Sequence, residues 1–184
     1  MSDRSRLRAV NAALSAAMMA LFLVHGVGNV FQMMGVGTPL SKALSWTLVA
    51  LCVAHAAIGV VLTADTLRAQ RQAGVAYPAR NLRFWIVRAS GLALALLILA
   101  HVAIFLKSSG VVRLNPFQMP QLLLSLALVA SLALHVLANM LPLMVHLGIP
   151  APSDRALDLV LALAVLLVLM AVGFVVYFLR WSVI

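Results

Sequence analysis

The sequence contains no glutamate, and charged residues of any kind are scarce. Only 9% of its 184 residues are charged, whereas 65% are hydrophobic. A soluble domain has about 25% charged and about 45–50% apolar residues, so this composition excludes an ordinary water-soluble globule. The four acidic residues are Asp3, Asp65, Asp154 and Asp158. Because none of them is central in an apolar segment, ion or proton transport along buried carboxylates is disfavoured.

Cysteine is almost absent as well. Cys52 lies within an apolar run, and a single thiol can form neither an internal disulfide nor, alone, a zinc or iron–sulfur site. The formal charge of +9 comes from 13 basic residues. These residues stand in short clusters between apolar runs and not on one polar face, so nucleic acid is not an expected partner.

Five segments of the chain are long and apolar enough to cross a lipid bilayer. A helix needs about 20 mostly apolar residues to cross a hydrocarbon layer of about 30 Å. The segments that qualify are 11–34, 44–65, 84–106, 121–147 and 157–180. The sequence therefore predicts an all-α integral membrane protein, a single membrane domain over residues 1–184 that is built as a five-transmembrane-helix bundle.

The basic residues are divided unevenly between the two ends of this predicted bundle. Nine fall on the side of the N-terminus, namely Arg4, Arg6, Arg8, Arg68, Arg71, Arg80, Arg83, Arg88 and Arg155. Four fall on the other side, namely Lys42, Lys107, Arg113 and Arg180. The positive-inside rule then predicts a cytoplasmic N-terminus and an outward-facing C-terminus. We expect a multi-pass protein of a bacterial-type cytoplasmic (inner) membrane.

Imidazole is the only ionisable group that recurs inside the predicted spans. His25, His55, His101 and His135 occupy four successive spans. At about 1.5 Å per residue, His25 and His101 lie about 21 and 25 Å from the cytoplasmic end, and His55 and His135 about 16 and 18 Å. Two facing histidines are the usual axial ligands of a low-spin haem, so these depths favour two haem sites.

Other uses of these histidines remain open at this point. A zinc site would need three or four imidazoles converging on one metal, and each histidine could simply hydrogen-bond a neighbouring helix. Asn29 and Asn139 stand four residues after His25 and His135, on the same helix faces. Their amides could contact the edge of a haem or, equally, another helix.

Five short segments give the chain a resemblance to a known family. They are LFLVHGVGN, AHAAIG, YPARNLRFWIVRASG, ILAHVAIF and LHVLANML. With them, the chain resembles over nearly its whole length the five-helix, two-haem cytochrome b subunit that anchors succinate:quinone oxidoreductases, the succinate dehydrogenases and fumarate reductases. The family carries its histidines on spans one to four and none on span five, as this sequence does.

The resemblance implies a role for each of the matching residues. His55 and His135 would bind the iron of a proximal haem b, and His25 and His101 that of a distal haem b. Arg88 would pair with a haem propionate, a role that suits a guanidinium, although it could also be a plain topology signal. Their spacing to His25 and His135, and not the resemblance, makes Asn29 and Asn139 further candidate haem contacts. No catalytic residue is assigned.

The resemblance also implies partners. The chain would be the electron-transfer and quinone-reactive subunit of an enzyme whose flavoprotein and iron–sulfur subunits hold FAD and iron–sulfur clusters and perform the dicarboxylate chemistry. Membrane quinone would be its substrate. His146 could contact quinone, a propionate or the iron–sulfur subunit, or lie at the interface against lipid headgroups. The alternatives are a di-haem anchor of another quinone-linked oxidoreductase and a non-redox membrane protein with structural histidines.

Overall fold

The computed structural model describes residues 3–36, 42–74, 81–107, 114, 116–149 and 153–181. Within these ranges the chain forms five α-helices and no β-strand. The helices are α1 (Asp3–Met33), α2 (Lys42–Gln72), α3 (Leu82–Lys107), α4 (Met119–His146) and α5 (Asp154–Trp181). Each is long and apolar enough to cross a membrane, which confirms the prediction of an all-helical, multi-pass chain.

Two helices extend well beyond the spans predicted from hydropathy. α1 begins at Asp3, eight residues before the first predicted span, and α2 continues to Gln72, past the predicted end at residue 65. The added turns are polar and basic, but arginine, alanine, leucine and glutamine are all good helix formers. The helices therefore continue past the apolar segment that hydropathy detects.

Short side chains and glycines set several helix ends. The Asn81 side chain accepts a hydrogen bond from the Phe84 N–H at 3.0 Å and begins α3, and Ser153 accepts one from the Ala156 N–H at 3.3 Å and begins α5. α4 ends at His146, and Gly148 two residues later has a left-handed φ of 81°. The following Ile149 N–H donates to the Met144 carbonyl, which closes a Schellman motif.

Sequence neighbours pack side by side, and α1 closes the bundle against the last two helices. α1 packs against α2, α3 against α4, and α4 against α5, while α1 also contacts α4 and α5. α2 touches α3 only sparsely. Two apolar clusters hold α1, α4 and α5 together; their buried members are Met33, Phe117, Leu122 and Tyr177 in one, and Val129, Leu163 and Leu167 in the other.

The two ends of the bundle can be recognised from the contacts between helices. At one end, named the basic end here, the Arg4 side chain at the start of α1 lies 3.7 Å from the Asp65 carboxylate of α2. At the other end, the Tyr177 hydroxyl donates to the Leu114 carbonyl at 3.1 Å. Between the ends, large apolar side chains such as Val60, Leu99 and Leu161 face outwards. That exterior suits contact with lipid.

Candidate histidine site between the helices

The four histidines predicted to lie inside the bundle are all half-buried, on α1, α2, α3 and α4. The contacts between helices fix their relative levels. Ser15 of α1 is level with His55, and Ser45 of α2 is level with His25, because each serine hydroxyl lies 3.4 Å from the Nδ1 of that histidine. His55 is therefore nearer the basic end than His25.

The rings of His55 and His135 are neighbours. Their centroids lie 6.2 Å apart, and the ring planes are nearly perpendicular, at 89°. The two residues come from α2 and α4, which belong to different helix pairs. One of the two histidine pairs expected from the sequence is thus brought together.

The orientation of the His135 ring is set by α3. Its Nδ1 lies 3.1 Å from the Val87 carbonyl oxygen and 3.2 Å from the Ser90 hydroxyl. A carbonyl oxygen only accepts hydrogen bonds, so His135 carries its proton on Nδ1 and donates it to Val87. The Nε2 atom then keeps its lone pair, as a metal-binding imidazole requires.

Gly91 allows this close approach of the ring to α3. A Cβ atom at position 91 would lie 3.1 Å from His135 Cε1 and 3.3 Å from Nδ1. Contacts that short force a neighbour to move, and the two polar contacts of Nδ1 oppose such a movement of the ring. Glycine is therefore the residue that fits at this position.

His55 is held in a comparable but looser way by α1. The Ser15 hydroxyl donates to the Asn11 carbonyl at 2.8 Å, and its oxygen lies 3.4 Å from His55 Nδ1. Since the serine proton is committed to Asn11, the oxygen can accept from the Nδ1–H of His55. In that arrangement the Nε2 of His55 also keeps its lone pair.

The two neighbouring rings offer the donor atoms that a shared metal ion would need. Two half-buried imidazoles with Nδ1 occupied and Nε2 available form the donor set of a bis-histidine haem. The donor chemistry at this pair therefore fits haem.

The second predicted pair is arranged differently. Within the described residues no ring contact joins His25 to His101. The amide nitrogen of Asn29 lies 3.3 Å from His25 Nδ1 and 3.2 Å from its Nε2. The His101 ring packs on Phe105 of its own helix, with centroids 4.8 Å apart.

The other predicted site residues lie beside these histidines. Asn29 contacts His25, as its spacing predicts, whereas the Asn139 amide donates to the His135 backbone carbonyl at 2.7 Å. The Arg88 guanidinium lies 4.0 Å above the Phe84 ring and within electrostatic range of His135. Arg88 thus adds a positive charge on the side of the His55–His135 pair that faces the basic end.

Arg83 is a structural residue that the sequence reasoning missed. Its Nε and Nη2 atoms donate to the Ala138 carbonyl of α4 at 3.0 and 2.7 Å. Ala138 stands four residues before Pro142, which lies inside α4 and has no N–H to donate. The guanidinium replaces the hydrogen bond that proline removes. Pro142 within a predicted span was the signal that could have pointed to such a partner, because a proline leaves the carbonyl four residues earlier without its usual donor.

His146 lies apart from the other four histidines. It is the last residue of α4, is exposed, and lines a cavity at the basic end together with the first turns of α1. The part of the chain that the structure describes contains no group of three or more His, Cys, Asp or Glu side chains placed to hold a metal.

No protein-family model, curated protein or solved structure matches this chain.

Proposed function

We propose that this chain is a di-haem b membrane anchor of a succinate dehydrogenase or fumarate reductase, which carries electrons between a cytoplasmic iron–sulfur subunit and membrane quinone. The observation that carries the proposal is the His55–His135 pair, whose ring centroids are 6.2 Å apart. The Nδ1 contacts to Ser15, Val87 and Ser90 support it, because they leave both Nε2 atoms for a metal. The partner subunits and the distal haem are proposed from the sequence segments that resemble the family.

Each histidine has one task in this proposal. His55 and His135 would hold the proximal iron, and His25 and His101 would hold the distal one. Bound haem b would supply a one-electron carrier at each of these places, and haem held by two histidines would carry electrons rather than bind oxygen.

The neighbouring polar residues would tune and orient this site. Arg88, whose guanidinium lies 4.0 Å above the Phe84 ring, would pair with a propionate, since a guanidinium can bind a carboxylate through two hydrogen bonds. Ser90 and Val87 keep the proton of His135 on Nδ1, which maintains the ligand orientation. Asn29 is near enough to His25 to hydrogen-bond the bound state as well.

The charge distribution supports the proposed orientation and partners. The end of the bundle that carries more basic residues would face the cytoplasm, in a bacterial-type inner membrane. The exposed arginines Arg68, Arg71 and Arg83 would then face the iron–sulfur subunit and its flavoprotein partner. Because the sequence has no glutamate, we expect no glutamate-based proton path at the outer face.

The test is the haem content of the purified chain and of single histidine variants. We expect two haems b per chain in a dithionite-reduced minus oxidised spectrum, and about one in His55→Ala, His135→Ala, His25→Ala and His101→Ala. His146→Ala serves as the control and should keep both haems. A colourless chain from cells with ample haem would refute the proposal. If the chain bound one haem, and only the His55 and His135 variants lost it, the proposal would hold for the proximal pair alone.

The alternative within the same class is a di-haem anchor of a different quinone-linked oxidoreductase. The same histidine pair supports it equally, because ligand geometry does not identify the partner subunits. The two can be separated by purification of the tagged chain from its native membrane in mild detergent. Co-purifying flavoprotein and iron–sulfur subunits with succinate:quinone activity are expected, and a hydrogenase or formate dehydrogenase in their place would favour the alternative.

A further inference from the structure

A cavity at the basic end of the bundle stands apart from all four proposed haem ligands. Its volume is about 340 Å³, and it is lined by Arg4, Ser5, Arg8, Ala9 and His146. Ligand pockets commonly begin at about 300 Å³, so it is large enough for a small polar group. The residues come from the first turns of α1 and the last turn of α4, so the site exists only because these helices pack together.

The charge of the cavity selects an anion. Arg4 and Arg8 stand one helical turn apart, on one face of α1. Among the described residues that line the cavity there is no carboxylate. Asp65 of α2 reaches Arg4 from outside, at 3.7 Å, and offsets part of its charge. Arg8 has no such carboxylate among the described ion pairs, so the cavity keeps a net positive charge.

His146 contributes one polar atom to the cavity. Its Nδ1–H donates to the Pro142 carbonyl at 2.8 Å, which fixes the proton on that nitrogen in the neutral ring. The remaining atom, Nε2, is then an acceptor. A ligand that suits the whole cavity therefore has anionic oxygens for the arginines and a hydroxyl group for Nε2.

Exposed apolar residues are the sequence neighbours of the lining residues. Val10 follows Ala9 on α1, and Val145 and Leu147 flank His146; their side chains are about half exposed, at 49%, 55% and 52%. They offer apolar surface at the same end of the bundle as the cationic groups. A free anion would gain nothing from that surface, whereas a lipid would use both parts.

We infer that this cavity binds the headgroup of an anionic phospholipid with a hydroxylated headgroup, of which phosphatidylglycerol is the simplest example. Arg4 and Arg8 bind the phosphate, His146 accepts from a headgroup hydroxyl, and the acyl chains lie against Val10, Val145 and Leu147. Basic pockets between transmembrane helices are suited to such headgroups. The inference does not depend on haem, because none of the proposed ligands lines the cavity.

The test is lipid binding to the full chain in detergent, measured by native mass spectrometry with dioleoylphosphatidylglycerol. We expect Arg4→Gln/Arg8→Gln to weaken binding about tenfold or more. The matched control, Arg6→Gln/Arg68→Gln, removes the same charge from exposed positions that do not line the cavity and should change binding less than twofold. An equal loss in both double variants would show a general charge effect and overturn the site.

Three further ligands separate the sources of the phosphate and the role of His146. Inorganic phosphate and decylubiquinone should not displace the lipid, and displacement by either would overturn the assignment to a lipid. Phosphatidic acid has the phosphate but no headgroup hydroxyl. His146→Ala should therefore weaken phosphatidylglycerol about threefold and leave phosphatidic acid unchanged. An unchanged affinity for both lipids in this variant would remove His146 from the site.

Discussion

Three neighbouring features of α3 fix the His135 ring: the Val87 carbonyl, the Ser90 hydroxyl and the space left by Gly91. The first two determine which nitrogen carries the proton, and the third sets how near the ring lies to the helix. Ser90 itself is buried, and its hydroxyl also contacts the Ile86 carbonyl at 2.6 Å. The ring position is therefore determined by the helix surface itself.

A side chain at position 91 tests this arrangement. Gly91→Val should displace the His135 ring and lower the haem content from two to about one per chain, because a Cβ there would lie 3.1 Å from the ring. The control, Ala89→Val, places the same valine side chain at an exposed position of the same helix and should keep both haems. Reduced-minus-oxidised spectra measure the difference. Full haem content in Gly91→Val would show that His135 does not require this packing.

At the scale of the helices, α3 and α4 are joined by an interaction that involves both a proline and an arginine. Pro142 deprives the Ala138 carbonyl of its usual partner within α4, and Arg83 supplies two N–H groups in its place. This contact lies three residues beyond His135 along the helix. It therefore secures α4 against α3 close to the proposed proximal site.

A double-mutant cycle measures this dependence. Arg83→Met should lower the free energy of unfolding by about 0.6–1.7 kcal/mol, the range for an interhelical hydrogen bond in a membrane protein. In a Pro142→Ala background the same change should cost much less, because residue 142 then donates to Ala138 itself. Denaturant unfolding in micelles gives both values.

Arg68→Met is the matched control for the lost charge, since Arg68 is exposed on α2. It should have little effect on stability in either background. An identical loss for Arg83→Met with and without Pro142 would mean that the arginine acts through something other than the Ala138 carbonyl.

Hydropathy and histidine spacing predicted the helices and the shared level of His55 and His135, but not the contacts that orient the rings. Helix length and mean hydropathy depend on composition, so they can be read along the chain. The rotation of each helix about its own axis cannot be read from the sequence in this way, because a helix that is apolar on every side has no polar face to show which side is buried. Ser15, Val87 and Ser90 therefore became visible as ring partners only in the packed structure.

The whole molecule presents a basic end and an opposite end, and its direction in the membrane can be measured. After Cys52→Ser, a single cysteine can be placed at Ala73, beyond α2, or at Met119, at the start of α4; both positions are exposed. A membrane-impermeant maleimide should label Met119→Cys in intact cells and Ala73→Cys only after lysis. The reverse pattern would invert the proposed topology and separate the basic end from cytoplasmic partners.

α2 and α3 touch only sparsely, so the two helix hairpins to which they belong make little direct contact through these helices. The α1–α2 hairpin carries His25 and His55, and the α3–α4 hairpin carries His101 and His135. α1 already packs on α5, but α2 has no buried residue of its own. α2 is therefore joined to the bundle mainly through α1, and in the proposed holoprotein a metal held by His55 and His135 would join it to α4 as well. A ligand that binds only the folded chain stabilises it, so haem supply would govern the survival of the chain in the cell as well as its redox activity.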